Sequence, residues 1–208
     1  MKHKTIITIG RQFGSGGREI AKALSEALSI PLYDKEIIAE AAKKSGLHEN
    51  IFKHADERKT SSFLYSLALG VYSPPVGNAG MPMINMDETI FQVQSDIIRE
   101  FAEKGPCVFV GRCADYILRK QPDLCRIFLY GSMEKRVERV SGLYHIDVEK
   151  AEELIQKTDR KRANFYHYYT GERWNDMRNY DLCLNSGDIG VYGSVEMILS
   201  YIKLREKQ

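Results

Sequence analysis

The sequence predicts an α/β fold of three layers, a central five-stranded parallel sheet with helices on both faces. Apolar runs alternate with segments of helical period along the whole chain, the pattern of a parallel sheet wrapped by helices. The first run, Thr5–Ile9 (TIITI), is β-branched throughout, as befits a central strand buried on both sides. Ile20, Ala23, Leu24, Ala27 and Leu28 then repeat at helical spacing, so a helix follows, and Ile30–Tyr33 is a short second strand closed by Asp34. Val108–Val110 and Ile127–Tyr130 are two further strands, each leading into a polar helix. Asp181–Leu184 is the last strand, and Val195, Ile198, Leu199 and Ile202 give the final helix its apolar stripe. The expected strands lie near residues 5–9, 31–33, 107–110, 126–130 and 181–185.

Two stretches break the rhythm. Asp34 to Asp87 starts helical and ends in GVYSPPVGNAGMPM, where glycine and proline preclude a long helix. Ser141 to Asn179 is rich in Lys, Arg and Tyr and holds no strand. Both exceed a simple connection. The chain therefore reads as one domain, residues 1–208, with a core of 1–34, 87–140 and 180–208, an insertion of about 35–86 and a lid of about 141–179.

Bulk properties narrow the partners. A chain of 208 residues with 43% hydrophobic and 28% charged residues fits one ordinary globular domain. A formal charge of +2 is too small to argue for a nucleic-acid or membrane partner. No stretch approaches the roughly 18 apolar residues of a membrane span, and the first residues lack the apolar core of a signal peptide. Cys107, Cys113, Cys125 and Cys183 show neither CxxC spacing nor a Cys/His cluster. Reduced, buried thiols and a cytoplasmic location are the expectation.

The chemistry concentrates after the first strand. Gly10-Arg11-Gln12-Phe13-Gly14-Ser15-Gly16-Gly17-Arg18-Glu19 leads directly into a helix. A glycine-rich turn at a helix N-terminus presents backbone N–H groups and partial positive charge to an anion. Gly14, Ser15, Gly16, Gly17, Arg18 and Glu19 are thus the candidate phosphate-binding residues. A dinucleotide loop is disfavoured, because Glu19 stands where G-x-G-x-x-G requires its third glycine. The strict phosphate-loop pattern G-x-x-x-x-G-K-[ST] also fails. Aligned on Gly16, its first glycine is Arg11, its lysine is Gly17, and its hydroxyl region reads Arg18-Glu19.

With this loop the chain resembles cytidylate kinases, and more closely the cytidylate kinase-like proteins, whose loop reads GSGG in place of GKGT or GKST. The resemblance runs from the first strand through Asp34. It resumes over Ile90–Arg112, where Gln94 precedes a strand ending in Gly111-Arg112, then at Asp159-Arg160-Lys161-Arg162-Ala163, which looks like a lid motif, and at Tyr180-Asp181-Leu182 with Asn185. It implies a P-loop kinase-like fold with an acceptor-binding insertion and an arginine lid. It also implies transfer of the γ-phosphoryl group of ATP, with Mg²⁺, to a nucleoside monophosphate such as CMP or dCMP. Asp34, Arg112 and Asp115 are the implied acceptor-side residues. Cys113 stands where cytidylate kinases carry an aspartate, and Glu40 and Asp87 align with their acceptor-phosphate arginines. These departures weigh against cytosine specificity.

The remaining candidates follow from residue chemistry. Arg11 and Arg18 flank the glycines, and either guanidinium could stand in for the missing lysine; the sequence does not separate them. Glu19 suits the first helical turn without any ligand, or binds Mg²⁺. Ser15 caps the helix or bonds phosphate. In the lid, Arg160 and Arg162 are candidate phosphate contacts, with Asp159 orienting them; phosphoryl transfer does not demand a strong base. A kinase of a nucleotide or of another small molecule is the leading reading. A nucleotide-binding module with weak or lost catalysis competes with it, as does an oligomerising protein using the apolar stretch Phe63–Tyr72.

Overall fold

The computed structural model describes residues 5–34 and 86–207. Strands β1 (Ile6–Arg11), β2 (Leu32–Tyr33), β3 (Val108–Val110), β4 (Leu124–Tyr130) and β5 (Leu182–Asn185) form one sheet in the order β2-β3-β1-β4-β5. Every neighbouring pair is parallel, so the predicted sheet is present with β1 at its centre. β4 begins earlier than expected, and β1 runs on: Gly10 and Arg11 stay in register with Phe128 and Leu129 of β4. Arg11 is therefore a strand residue and not part of the turn.

The helices are α1 (Gly17–Leu28), α2 (Met86–Glu103), α3 (Ala114–Ile117), α4 (Met133–Tyr144), α5 (Val148–Thr170) and α6 (Ser186–Arg205). Strand alternation divides the core between them. Ile7 and Ile9 pack with Ile20 and Leu24 of α1 and Ile198 and Ile202 of α6 on one face of the sheet. Ile6 and Phe109 pack with Ile97 and Ile98 of α2 and Ile117 of α3 on the other. Fully burying an Ile or Leu side chain is worth about 1.5–3 kcal/mol, so both faces of β1 contribute to holding its carboxyl end in place. The four cysteines are free thiols; burial pushes Cys107 up to about 12 and Cys125 to about 11, which makes them inert.

A third apolar cluster stands beyond the sheet edge. Val137 and Val140 of α4 meet Ala151 and Ile155 of α5, with Phe13 of the glycine loop packed against them. Ser132 and Asp147 cap α4 and α5 through their side chains, and both helices end on a left-handed residue, His145 and Gly171. The segment predicted as a lid is thus chiefly one continuous helix, α5, leaning on the loop. Helix α6 is broken at Gly190, whose φ of 69° no helix accommodates. Among the described residues no helix is long and apolar enough to cross a membrane. Most of the predicted insertion, with Glu40, Phe63–Tyr72 and the Gly/Pro/Met stretch, lies outside the described residues, as does the side chain of Asp87.

Candidate functional site

The loop between β1 and α1 is built so that its backbone faces outward. Gly14 and Gly16 adopt φ of 82° and 75°, left-handed values that glycine adopts without strain. The start of α1 has no side-chain cap. Among the described residues the amides of Gly14, Gly16 and Gly17 donate no hydrogen bond. Ser15 differs from the expectation. Its hydroxyl donates to the Gln12 carbonyl at 2.8 Å and its amide to the same oxygen at 3.4 Å, so Ser15 is buried inside the turn and does not cap the helix.

Asp159 holds this loop from α5. Its Oδ1 accepts the Phe13 N–H at 2.7 Å, and its Oδ2 accepts from Nη1 of Arg136. Arg136, a buried residue of α4, also donates to the carbonyls of Gly131 and Phe13 at 3.2 and 3.3 Å. Asp159 therefore hydrogen-bonds to Arg136 and the loop rather than to a lid arginine, while its charge also acts on Arg162. Both its oxygens are engaged.

The lid arginines part company. Arg162 Nη1 donates to the Arg11 carbonyl at 2.9 Å, and its guanidinium lies 5.5 Å from the centre of the Phe13 ring. Arg160 is exposed, and no interaction with another described side chain engages it. Two residues apart on a helix point to nearly opposite sides, so only one of the pair reaches the loop.

Arg11 and Arg18 separate as well. Arg18 pairs with Asp34 at 3.0 Å, its side chain 70% exposed, so the expected acceptor carboxylate at the end of β2 is joined to the loop's first helical turn. Arg11 follows Ile7 and Ile9 onto the α1 side of β1 and runs past Gly17 toward Gly111. Burial first, then the charges of Arg162 and Arg112, hold its pKa well below the usual arginine range. Arg112 occupies a strained turn at the end of β3. Gly111, Arg112 and Cys113 are three successive left-handed residues, with φ of 70°, 61° and 55°, and a non-glycine residue there costs about 1–2 kcal/mol. Gln94 of α2 supports the turn, donating to the Arg112 carbonyl at 3.4 Å.

Two carboxylates occupy first helical turns, Glu19 in α1, as expected, and Asp115 in α3. Asp115 is buried and accepts from the hydroxyl of Tyr166 in α5 at 2.7 Å. Burial raises its pKa, opposed by that hydrogen bond. It faces α5. Glu19 forms an ion pair with Arg139 of α4. Among the described residues no group of three His, Cys, Asp or Glu side chains gathers to hold a metal.

Arg136 and Arg139 are the site residues that sequence reasoning missed. Arg139 also lies over the loop, its Cζ 3.4 Å from where a Cβ on Gly16 would be. Their segment, MEKRVERV, alternates in charge and reads as a solvated helix face. Their spacing beside Val137 and Val140 was the available signal.

Comparison with known proteins agrees with this fold. The profile of the Cytidylate kinase-like family matches residues 6–188. A cytidylate kinase of Methanopyrus kandleri is 28% identical over 190 residues, covering 87% of this chain and 84% of the relative. The crystal structure of an uncharacterized protein from Eubacterium ventriosum superposes with a TM-score of 0.73 at 32% identity, over 96% of this chain and 98% of that one. Shikimate kinase from Bacteroides thetaiotaomicron shares the fold, with a TM-score of 0.53 at 14% identity over 96% and 98% of the two chains.

Proposed function

The chain belongs to the cytidylate kinase-like family, and on that premise we propose that it transfers the γ-phosphoryl group of ATP to a small acceptor, a nucleoside monophosphate such as CMP or dCMP. One observation carries the reading. Uncommitted loop amides at the N-terminus of α1 lie beside arginines delivered from β1, β3 and α5, the donors that a phosphoryl group in flight requires.

In this reading Gly14, Gly16 and Gly17 hold the nucleotide phosphates with their N–H groups, while Arg11 and Arg162 neutralise charge as the phosphoryl group moves. Magnesium enters with ATP as part of the substrate, its chemistry being to bridge and neutralise phosphate oxygens; Glu19 is the side chain placed to ligate it. Arg112, on its strained turn, receives the acceptor at the carboxyl edge of the sheet, where α/β folds bind ligands, with Asp34 and Arg18 closing the β2 side. Helix α5 acts as the lid, and residues 35–86 form the acceptor-side insertion. Asp159 serves as a brace and takes no proton.

A second reading is favoured by Asp115. Its burial and its bond to Tyr166 support an acceptor other than a cytosine nucleotide. One experiment tests both: ADP formation from Mg·ATP with a panel of nucleoside monophosphates and small alcohols. Turnover with CMP or dCMP alone supports the first reading, and turnover with a non-nucleotide alcohol supports the second. ATP binding without ADP formation for any acceptor would sink both and leave a nucleotide-binding module.

A further inference from the structure

We propose that positions 11 and 17 form an exchange pair, in which Arg11 carries from β1 the cation that the strict loop pattern carries at the start of the helix. The guanidinium, led between Gly17 and Gly111, joins Arg112 and Arg162 as a site for a phosphate group. The inference rests on the phosphate-binding half of the proposed function and not on turnover.

The sequence supplies the first half of the argument. The pattern G-x-x-x-x-G-K puts glycine at the position of residue 11 and lysine at that of residue 17; here residue 11 is arginine and residue 17 glycine. The structure supplies the reason. A Cβ on residue 17 would fall 2.8 Å from both Cβ and Cγ of Arg11, whereas non-bonded carbons settle at about 3.5–4.0 Å. The two positions share one volume, so a side chain on one requires glycine on the other. The far end of the arginine imposes the same condition. A Cβ on Gly111 would lie 2.0 Å from Nη1 of Arg11, and its φ of 70° already favours glycine.

The charges point to the ligand. Arg112 and Arg162 both act on Arg11, and the charges of Asp34 and Asp159 only partly offset them and burial. Among the described residues the Arg11 guanidinium makes neither a hydrogen bond nor an ion pair, although it carries five N–H donors in a fixed fork. A tetrahedral dianion suits that fork. The chemical class is therefore a phosphate monoester or the terminal phosphate of a polyphosphate, held between the glycine loop and the ends of β2 and β3.

The test is a reciprocal exchange in the full chain. Affinity for inorganic pyrophosphate and for ATP is measured by calorimetry, and each fold is checked by its melting curve. Arg11→Gly should weaken both ligands by about tenfold to a hundredfold, the loss of one charged contact. Gly17→Lys alone should weaken them as much, because its side chain collides with Arg11. Arg11→Gly combined with Gly17→Lys restores the strict pattern and should bind within about threefold of the parent. Should Arg11→Gly fail to fold, Arg11→Met keeps the stem between the glycines and removes only the charge. An exchange variant no better than Gly17→Lys overturns the shared volume; an Arg11→Met that binds as the parent does overturns the cation. A folded parent that binds no pyrophosphate removes the site altogether. Pyrophosphate binding without ADP formation supports the pair while defeating the phosphotransferase reading, so the two failures are distinct.

Discussion

Replacing Asp159 with alanine separates a brace from a catalytic base. The side chains of Arg136 and Asp159 are only 7% and 17% exposed, and removing one partner of a buried ion pair costs about 3–5 kcal/mol. Arg136 keeps two carbonyl partners, at Gly131 and Phe13, which places the loss near the low end, about 3 kcal/mol. For a chain of this size each kcal/mol lowers the melting temperature by about 2–4 °C, so a drop of about 6–12 °C is expected. Asp159→Asn keeps an acceptor for the Phe13 amide and should lose about half as much. Scanning calorimetry reads the stability, and a nucleotide titration reads the loop, whose affinity should fall because the Phe13 amide is released. The double variant Asp159→Ala with Arg136→Met should cost less than the two single losses added together. A melting temperature within about 1 °C of the parent, with turnover down by more than about a hundredfold, is the signature of a general base and would refute the brace.

Arg162→Ala should cost about 1.5–3 kcal/mol through its charged bond to the Arg11 carbonyl and slow turnover, whereas exposed Arg160→Ala should stay within about 0.5 kcal/mol of the parent; equal effects on melting and rate would deny the distinction. Asp115→Asn keeps an acceptor for Tyr166 and removes a buried charge whose pKa burial raises, with Glu172 adding to the rise. Since the folded pKa is raised, the carboxyl's contribution is full below the ordinary value of about 3.9 and is lost as pH climbs through the raised value. The asparagine variant should therefore be the more stable of the two at pH 8, and its advantage should vanish on acidification; a pH-independent difference would contradict the assignment. Glu19→Gln breaks a partly exposed pair with Arg139 and should change stability by less than about 1 kcal/mol. If Glu19 ligates magnesium, the concentration giving half-maximal rate should rise several-fold, and an unmoved midpoint would exclude it.

The sheet was legible because its strands are buried on both faces. Burial makes them continuous apolar runs, and β1, β3 and β4 stand out on that ground alone. The end of β1 was not legible, since Gly10 and Arg11 look like turn residues until their pairing with Phe128 and Leu129 is seen. That single extension fixes which way Arg11 points. The lid shows the opposite case. A continuous helix over residues 148–170 already forbids Arg160 and Arg162 from facing one loop together, so the sequence held the answer once the helix was accepted. The pairings of Asp115 with Tyr166, Arg18 with Asp34 and Glu19 with Arg139 join residues far apart in the chain. No local pattern encodes such partners.

The side chains of the loop explain why its backbone is left open. Gln12 accepts the Gly131 N–H at 3.2 Å, Phe13 packs between α4 and α5, and Ser15 turns its hydroxyl back on Gln12. Ser186 of α6 then donates to the Ser15 carbonyl at 2.8 Å. Every non-glycine side chain from Gln12 to Ser15 is engaged in fixing the turn to β4, α4, α5 or itself. A loop secured in this way need not reorganise when an anion arrives, and preorganised donors act most strongly on developing charge. The glycines cannot fix themselves by side chains, and among the described residues their amides donate no hydrogen bond. Glycine at position 17 leaves the backbone donors undisturbed, and Arg11 of β1 brings its charge beside the loop without entering the turn.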